Sequence, residues 1–490
     1  MSPADPHHGG AGAPPGWEAV IGLEVHCELK TRTKLFCGCR NAFGDEPNTN
    51  VCPVCLGLPG SLPVLNATAV DYAMRIGLAL HCEVRPSRFH RKNYFYPDMP
   101  KDYQISQYDA PINVEGWLEL PDGTRVGIVR AHIEEDTGKT THVGGGGRIH
   151  DAEHALVDYN RAGVPLVEIV SAPDIATSAQ ARLYAAELRG ILVATDASDG
   201  RMEEGSMRVD ANVSVRPGGT EELGTRCEIK NLNSLRSLGR AIDFEITRQV
   251  ELLEAGDKVL QQTRHWNEDA GETVALRSKE EAFDYRYFPE PDLVPLAPDA
   301  AWQAEVAGAL GLMPADRRAR VAALLGDGAS GGARADQIGT VVELGLDDLV
   351  VGAVGAGAEA ERALVRTANE AAADADRARL LEPARYAALL TMEAQGALSA
   401  TQAKTVLGDM LDDTAAAPEE LARRRGFEAL ADDSLAAVVE RVVAEHPEEW
   451  ARYCAGVDKV AGFFTGAVMR ATEGRANGKA VAAELRRLRG

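Results

Sequence analysis

Four of the eight cysteines of this chain lie in two close pairs within "CGCRNAFGDEPNTNVCPVC", residues 37–55. In the spacing C-x-C-x12-C-x-x-C each pair can place two thiolates on one ion, at about 2.3 Å from a zinc ion. Buried thiols or a redox pair are the weaker interpretation, because no strand, CxxC and helix follow one another here. The sequence therefore predicts a structural zinc site, called the zinc hook, formed by Cys37, Cys39, Cys52 and Cys55.

A second candidate site begins just before the zinc hook. In "AVIGLEVHCEL", residues 19–29, apolar and polar residues alternate with the period of a half-buried strand, which places Glu24, His26 and Glu28 on one face. A solvated antiparallel strand can also show such a face. The pattern becomes informative only because it recurs later in the chain.

The same alternation returns in two further segments. "SMRVDANVSVR" places Arg208 and Asp210 on one face, and "TRCEIKN" does the same for Glu228 and Lys230. Carboxylates with an imidazole can hold Mg²⁺, and nearby cations can bind phosphate oxygens. Several such strands predict a sheet whose polar face is a binding site.

Two other segments add carboxylates to this predicted face. Glu168 lies within the apolar run "VPLVEIV", where an unpaired carboxylate is costly to bury. "GIVRAHIEEDTGK" ends a strand-like segment in Glu134, Glu135 and Asp136, and the strand period alone does not decide between Glu134 and Glu135 as the residue of the site. "TGKT" at residues 137–140 lacks the glycine of a phosphate-binding loop, so any nucleotide must bind elsewhere.

Composition limits the class of protein. At 490 residues, with 45% apolar and 26% charged residues, the chain is expected to be soluble and globular, with two to four domains. The remaining cysteines are scattered and no secretory signal is recognisable, so we expect a cytoplasmic protein without a membrane span. A net charge of −22 argues against broad nucleic-acid affinity but allows a local basic patch.

The element pattern predicts an α+β fold. An antiparallel-sheet cradle domain with the zinc hook, residues 16–297, contains two long helices, the second of which begins after Ser234 and ends at Gly256. A sequence rich in Ala, Leu, Glu and Arg then predicts a helical domain at residues 298–428 and a small helical tail domain at 429–490. The first 15 residues, rich in Gly, Pro and Ala, are expected to be disordered.

The tail is basic at its end. An ordinary solvated helix face explains such a pattern as readily as a binding surface does. The cations concerned are Lys459, Arg470, Arg475, Lys479, Arg486, Arg487 and Arg489, against Glu473 and Glu484.

Several motifs resemble one known family. "IGLEVHCELKTRTKLFCGC", "RKNYFYPDMPKDYQISQYDAPI", "VDYNRAGVPLVEIVSAPD", "MEEGSMRVDANVSVR" and "DYRYFPEPDLVPL" are similar to the GatB family, the B subunits of bacterial tRNA-dependent amidotransferases. The similarity runs from about residue 16 to the end of the chain. It implies a cradle that binds ATP and Mg²⁺, a helical domain, and a YqeY-type tail that binds tRNA. It also implies a heterotrimer with a glutaminase A subunit and a small C subunit.

The resemblance also implies an activity. The family uses ATP to phosphorylate the side-chain carboxylate of mischarged Glu-tRNA(Gln) or Asp-tRNA(Asn), and then amidates it with ammonia from the glutaminase. Carried onto this sequence, the catalytic residues are Glu24, His26, Glu135, Glu168 and Asp210, with His26, Glu135 and Glu168 as magnesium ligands. Binding of the nucleotide or of the acyl phosphate is assigned to Arg208, Glu228 and Lys230. Binding of tRNA is assigned to the tail residues Lys459, Arg470, Arg475, Lys479, Arg486 and Arg487.

The alternative interpretation is a non-catalytic, zinc-stabilised tRNA-binding scaffold whose polar sheet is merely solvated. Glu168 discriminates between the two interpretations. A lone acid in an apolar run favours a catalytic metal site, because a tRNA-binding scaffold does not require one there. The sequence leaves open whether one or both tRNAs are substrates. It also leaves open the role of residues 143–155, a stretch that is longer than the family pattern.

Overall fold

A computed structural model describes residues 12–144, 152–275, 285–326, 332–427, 432–472, 476 and 478–490. The chain forms two compact units, one ending at Met313 and one beginning at Pro314. Within the described ranges, no helix combines the length and the apolar character needed to cross a membrane.

The first unit contains one large sheet and a separate two-stranded hairpin. Its strands are β1 (Trp17–Glu28), β2 (Glu83–Val84), β3 (His90–Asn93), β4 (Tyr103–Ser106), β5 (Asn113–Glu119), β6 (Arg125–Glu135), β7 (Lys139–Val143), β8 (His154–Asp158), β9 (Pro165–Ser171), β10 (Met207–Pro217), β11 (Cys227–Leu232), β12 (Gln262–Asn267), β13 (Glu272–Ala275) and β14 (Phe288–Pro289). Its helices are α1 (Ala67–Ala79), α2 (Ser178–Ala194), α3 (Leu235–Glu254) and α4 (Ala300–Gly308).

Strand pairing is almost entirely antiparallel, as the sequence predicts. In the described ranges the sheet runs in the order β13-β12-β11-β10-β1-β9-β6-β4-β3-β14, with β5 and β2 branching from β6. The pair β11 and β12 is parallel, and β7 with β8 forms a separate hairpin. Strand β1 therefore lies inside the sheet, between β10 and β9.

The two faces of β1 differ sharply. Ile21, Leu23 and Val25 are fully buried in a core that also contains Leu188 of α2 and Ile242 of α3. Because successive side chains of a strand point to opposite faces, the residues between them form the other face of the sheet. The alternation that directs the apolar side chains of β1 toward the helices thus also directs its polar side chains to the opposite face of the sheet.

The helix boundaries follow local capping chemistry. Helix α3 begins after Ser234, whose side-chain oxygen accepts a hydrogen bond of 3.0 Å from the backbone N–H of Ser237. It ends before Gly256, which has a φ of +82° that a glycine adopts without strain. Both predicted boundaries of this helix are confirmed.

The first unit extends beyond the predicted cradle at both ends. Helix α4 belongs to it, because Trp302 Nε1 donates a hydrogen bond of 2.6 Å to Asp71 Oδ1 on α1. At the other end, Ala13 packs against the core and the Trp17 N–H donates to the Pro14 carbonyl. Residues 1–11 lie outside the described ranges.

The second unit is helical. Its helices are α5 (Pro314–Leu325), α6 (Gly332–Glu343), α7 (Asp347–Gly355), α8 (Ala360–Asn369), α9 (Ala375–Ala378), α10 (Pro383–Ala394), α11 (Ala400–Asp412), α12 (Pro418–Arg424), α13 (Asp432–Glu445), α14 (Pro447–Cys454), α15 (Ala461–Ala471) and α16 (Gly478–Arg489). One hydrophobic core spans Val321 to Ala422 and a separate one spans Leu435 to Leu485. The predicted tail boundary after residue 428 falls between these cores, and the domain limits remain a prediction.

Candidate active site

Strand register brings the candidate residues together in rows across the sheet. His26 on β1 lies opposite Arg208 on β10 and opposite Glu168 on β9. Glu168 in turn lies opposite His132 on β6. Directly opposite side chains on neighbouring antiparallel strands have Cβ atoms about 4.5–5.5 Å apart. One row of the face is therefore Arg208, His26, Glu168 and His132.

The adjacent rows carry further carboxylates. Glu24 lies opposite Asp210, and the Asn212 side chain donates a hydrogen bond of 2.9 Å to Glu24 Oε1. Glu28 and Glu134 both lie opposite Leu166, one on each side of it. The structure thus places the predicted Glu24, His26, Glu168 and Asp210 on one continuous polar face.

Three of these side chains form a compact cluster. His26 Nε2 lies 3.7 Å from Glu134 Oε1 and 3.7 Å from Glu168 Oε2. One ligand atom from each residue lies within 4.8 Å of the others. The side chains of Glu134 and Glu168 are only 5% and 11% exposed. Two carboxylates this close and this buried repel each other, and a divalent cation between them would remove that repulsion.

The electrostatics agree with a cation site. Burial, and next the neighbouring Glu168 carboxylate, raise the pKa of Glu134 above its ordinary value. Burial lowers the pKa of His26, so the ring is neutral near pH 7, the form that binds metal ions. Two acids beside a neutral imidazole fit a metal ion that prefers oxygen ligands.

Glu135, named by the family resemblance, lies on the opposite face of β6. Its Oε1 accepts a hydrogen bond of 2.9 Å from the Ile105 N–H and forms an ion pair with Lys101. Successive residues of a strand face opposite sides, so Glu134 and Glu135 cannot both join the cluster. Glu134, the alternative that the strand period left open, takes the position assigned to Glu135.

The predicted phosphate-binding cations lie on the same polar face and are held by acids. Arg208 Nη2 donates to Asp136 Oδ2 at 2.7 Å. Lys230 Nζ lies 2.6 Å from Asp210 Oδ2 and 2.6 Å from Glu228 Oε1. Burial alone would lower the pKa of Lys230, but these two carboxylates hold it above its ordinary value. Both cations therefore stay charged beside the acidic cluster.

Sequence reasoning missed two residues of the face. His132 is fully buried, with Nε2 at 3.5 Å from Glu168 Oε2. Arg130 Nη2 lies 3.7 Å from Glu168 Oε1, and the Arg130 guanidinium lies 4.6 Å from the Tyr108 ring centroid. The alternation of Arg130, His132 and Glu134 along "VRAHIEE" is the signal that would have found them.

The four cysteines of the zinc hook are also brought together. Their sulfur atoms all lie within 4.8 Å of one another, and the Cys52 N–H donates to Cys55 Sγ at 3.1 Å. Gly44, Gly57 and Gly60 turn the surrounding loop with positive φ. Four converging sulfur ligands fit a tetrahedral structural zinc ion, with no place for a substrate.

The predicted tRNA-binding cations differ in their surroundings. Arg487 pairs with Glu484 at 2.6 Å and lies 3.7 Å from Glu440. Among the residues that the structure describes, Arg486 donates only to the Ala482 carbonyl of its own helix, at 3.1 Å. Lys459 lies in a 3₁₀ turn at Asp458–Val460, and Arg470 lies near the end of α15.

Two predictions fall partly on residues that the structure does not describe. Arg475 and the side chain of Lys479 lie outside the described set. Strands β7 and β8 flank the long stretch at residues 143–155, but residues 145–151 also lie outside the described ranges.

Comparisons with known proteins cover both units. A family model described as the GatB/GatE catalytic domain matches residues 19–304, a range that contains the acidic cluster and the zinc hook. A second model, described as a GatB domain, matches residues 358–488.

Curated relatives match along nearly the whole chain, and each carries the name of the B subunit of an aspartyl/glutamyl-tRNA(Asn/Gln) amidotransferase. The Frankia casuarinae protein is 48% identical over 95% of this chain and 94% of its own length. The Thermobifida fusca protein is 47% identical over 94% and 92%. The Mycobacterium tuberculosis protein is 49% identical over 94% and 92%.

Proposed function

The chain belongs to the GatB family of tRNA-dependent amidotransferase subunits, and we propose that the polar face of its sheet activates and amidates the substrate carboxylate. The protein is a subunit of a ligase, a tRNA-dependent amidotransferase for Glu-tRNA(Gln), Asp-tRNA(Asn) or both. The observation that carries the proposal is the convergence of the buried acids Glu134 and Glu168 on His26.

The reaction requires a site that stabilises negative charge on phosphate oxygens. A carboxylate is a poor acyl donor, so a carboxylate oxygen first takes the γ-phosphoryl group of ATP, which forms an acyl phosphate and releases ADP. Ammonia then attacks the acyl carbon, the carbon–oxygen bond to phosphate breaks, and the nitrogen loses a proton to give the amide. Both steps gather negative charge on phosphate oxygens, which the site must stabilise.

The residues of the face divide into three groups. His26, Glu134 and Glu168 would hold Mg²⁺, which when bound would offset the charge of the phosphates. Arg208 and Lys230 supply fixed positive charge to the nucleotide or acyl phosphate, and their acidic partners Asp136, Asp210 and Glu228 orient them. Glu24 and Asp210, opposite each other on neighbouring strands, are assigned to the ammonia side.

The remaining parts support this chemistry. A structural zinc ion at the four cysteines would fix the loop beside β1, and a YqeY-type tail would bind the tRNA. The names of the relatives describe one subunit of an enzyme, so the enzyme has several subunits. We infer a glutaminase A subunit that supplies ammonia and a small C subunit, in a heterotrimer.

The test uses the assembled enzyme with each mischarged tRNA, ATP, Mg²⁺ and glutamine. His26→Ala and Glu168→Gln should abolish amidation while glutamine hydrolysis in the partner continues. Glu18→Gln is the matched control, because Glu18 lies on the same strand but pairs with Arg216 at 3.0 Å, away from the cluster. Amidation at the unaltered rate in His26→Ala would reject the proposed site.

A further inference from the structure

His132 occupies an unusual position in the polar face. Its side chain is fully buried, yet neither ring nitrogen has a hydrogen-bond partner among the described residues. A buried polar group without a hydrogen bond destabilises the folded state, because it loses its hydrogen bonds to water and gains none in the protein. An ordinary core position would therefore favour an apolar side chain of similar size.

The surroundings of the ring point to a role. His132 Nε2 lies 3.5 Å from Glu168 Oε2 and 3.8 Å from Glu134 Oε2, the two acids of the cluster. Both distances exceed the range of about 2.7–3.2 Å for a hydrogen bond to nitrogen. Shifts of about half an ångström in the carboxylates would close these gaps.

The two histidines approach Glu134 from different sides. His26 Nε2 faces Oε1 of Glu134, whereas His132 Nε2 faces Oε2. His26, Glu134 and Glu168 form the compact ligand set. At Glu168 both histidines face the same oxygen, Oε2. His132 thus lies on the far side of the Glu134 carboxylate from His26, where its N–H can orient that carboxylate while it also reaches Glu168 Oε2.

We propose that His132 is a positioning residue whose Nε2–H holds the carboxylates of Glu134 and Glu168 in the orientation that binds a divalent cation. This inference rests on the proposed cation site. Hydrogen-bond partners of metal ligands fix the ligands in place, and their loss typically costs about 10–100-fold in metal affinity.

The experiment measures Mn²⁺ binding to the full chain by electron paramagnetic resonance, which detects the free ion. His132→Leu removes the donor at similar volume, His132→Gln places an amide N–H near the position of Nε2, and His132→Asn reaches only the position of Nδ1. We expect the Kd for Mn²⁺ to rise about 10–100-fold in the Leu and Asn variants and to be largely restored in the Gln variant.

A matched control is His90→Gln. His90 is another buried histidine of the sheet, on β3, whose Nε2 faces Asp109 at 3.4 Å, and its replacement should leave the Kd unchanged. Thermal unfolding of the metal-free chain separates folding from binding. His132→Leu should unfold at the same or a higher temperature, because it removes buried unpaired nitrogens.

Each other outcome overturns a defined claim. Equal Kd values for the unaltered chain and His132→Leu would overturn the positioning role of His132 alone. Loss of a directly coupled nitrogen from the Mn²⁺ spectrum in His132→Gln would make His132 a ligand and overturn it as well. Failure of the unaltered chain to bind Mn²⁺ would overturn the cation site itself, and with it this part of the proposed function.

Discussion

Glu134 and Glu135 are adjacent in the chain, yet their carboxylates lie on opposite faces of β6. Glu134 Oε1 is 3.7 Å from His26 Nε2, within the acidic cluster. Glu135 is paired with Lys101 and accepts a hydrogen bond from the Ile105 N–H. Two acids that the sequence could not rank therefore have different roles, one in the candidate cation site and one in the packing of the fold.

The first prediction separates these roles. Glu134→Gln should lose Mn²⁺ binding and amidation, because one of the two ligand carboxylates is removed. Glu135→Gln should keep Mn²⁺ binding but lower the free energy of unfolding by about 3–5 kcal/mol, since Lys101 then stays buried without its charge partner. Mn²⁺ titration and urea unfolding measure the two effects. Weakened Mn²⁺ binding in Glu135→Gln together with unchanged binding in Glu134→Gln would reverse the assignment.

The sequence predicted the strands better than their contacts. The period of two located the polar face of β1, β10 and β11, because each strand alternates clearly by itself. The choice between Glu134 and Glu135 depends on the phase of β6 relative to β9, and that register involves residues distant in sequence. The alternation along "VRAHIEE" groups His132 with Glu134, but whether this set or the set that contains Glu135 faces the site depends on the same register between β6 and β9.

Other features were predictable because they are local. The zinc hook depends on a spacing within residues 37–55, and the caps of α3 depend on Ser234 and Gly256. The end of the first unit at Met313 was not predicted, because it depends on the packing of α4 against α1 rather than on composition.

The second prediction concerns the zinc hook. Cys52→Ser should release the metal and destabilise the first unit, because three thiolates no longer complete the tetrahedral site. Elemental analysis by mass spectrometry should find about one zinc per unaltered chain and far less in the variant. Cys454→Ser, at an exposed cysteine outside the cluster, should keep the metal. Stoichiometric zinc in Cys52→Ser would contradict the assignment.

The third prediction is a pH dependence of stability away from the active site. Glu245 on α3 is fully buried and accepts hydrogen bonds from Arg248 Nη2 at 2.5 Å and Thr273 Oγ1 at 3.0 Å. Burial alone would raise the pKa of Glu245, but hydrogen bonds from Arg248, Gln249 and Thr273 and the charge of Arg248 hold it below its ordinary value. The folded state therefore binds a proton less readily than the unfolded state at this residue.

It follows that Glu245 stabilises the fold fully above about pH 4.3, the ordinary value for glutamate, and loses this contribution as the pH falls through the folded pKa. Glu245→Gln should make the free energy of unfolding less dependent on pH on the acid side. The exposed Glu251→Gln of the same helix removes the same charge and should keep the dependence of the unaltered chain. Identical acid profiles for Glu245→Gln and the unaltered chain would contradict this account.

The fourth prediction distinguishes the cations of the tail. Lys459 and Arg486 have no acidic partner among the described residues, whereas Arg487 pairs with Glu484. Lys459→Ala with Arg486→Ala should raise the KM for mischarged tRNA and reduce its salt dependence, while Arg487→Ala should have a smaller effect. Steady-state amidation at several salt concentrations measures both. An unchanged KM in the double variant would identify the tail as an ordinary solvated face.

The most direct test of the central claim follows the oxygen atoms of the substrate. Mischarged tRNA is prepared with ¹⁸O in the side-chain carboxylate of its amino acid and given to the assembled enzyme with ATP and glutamine. If this carboxylate is phosphorylated on the face that holds His26, Glu134 and Glu168, the released phosphate should carry one ¹⁸O. The Glu168→Gln enzyme should release no labelled phosphate while it still hydrolyses glutamine. Unlabelled phosphate from the unaltered enzyme during full amidation, or undiminished labelled phosphate from Glu168→Gln, would contradict the account.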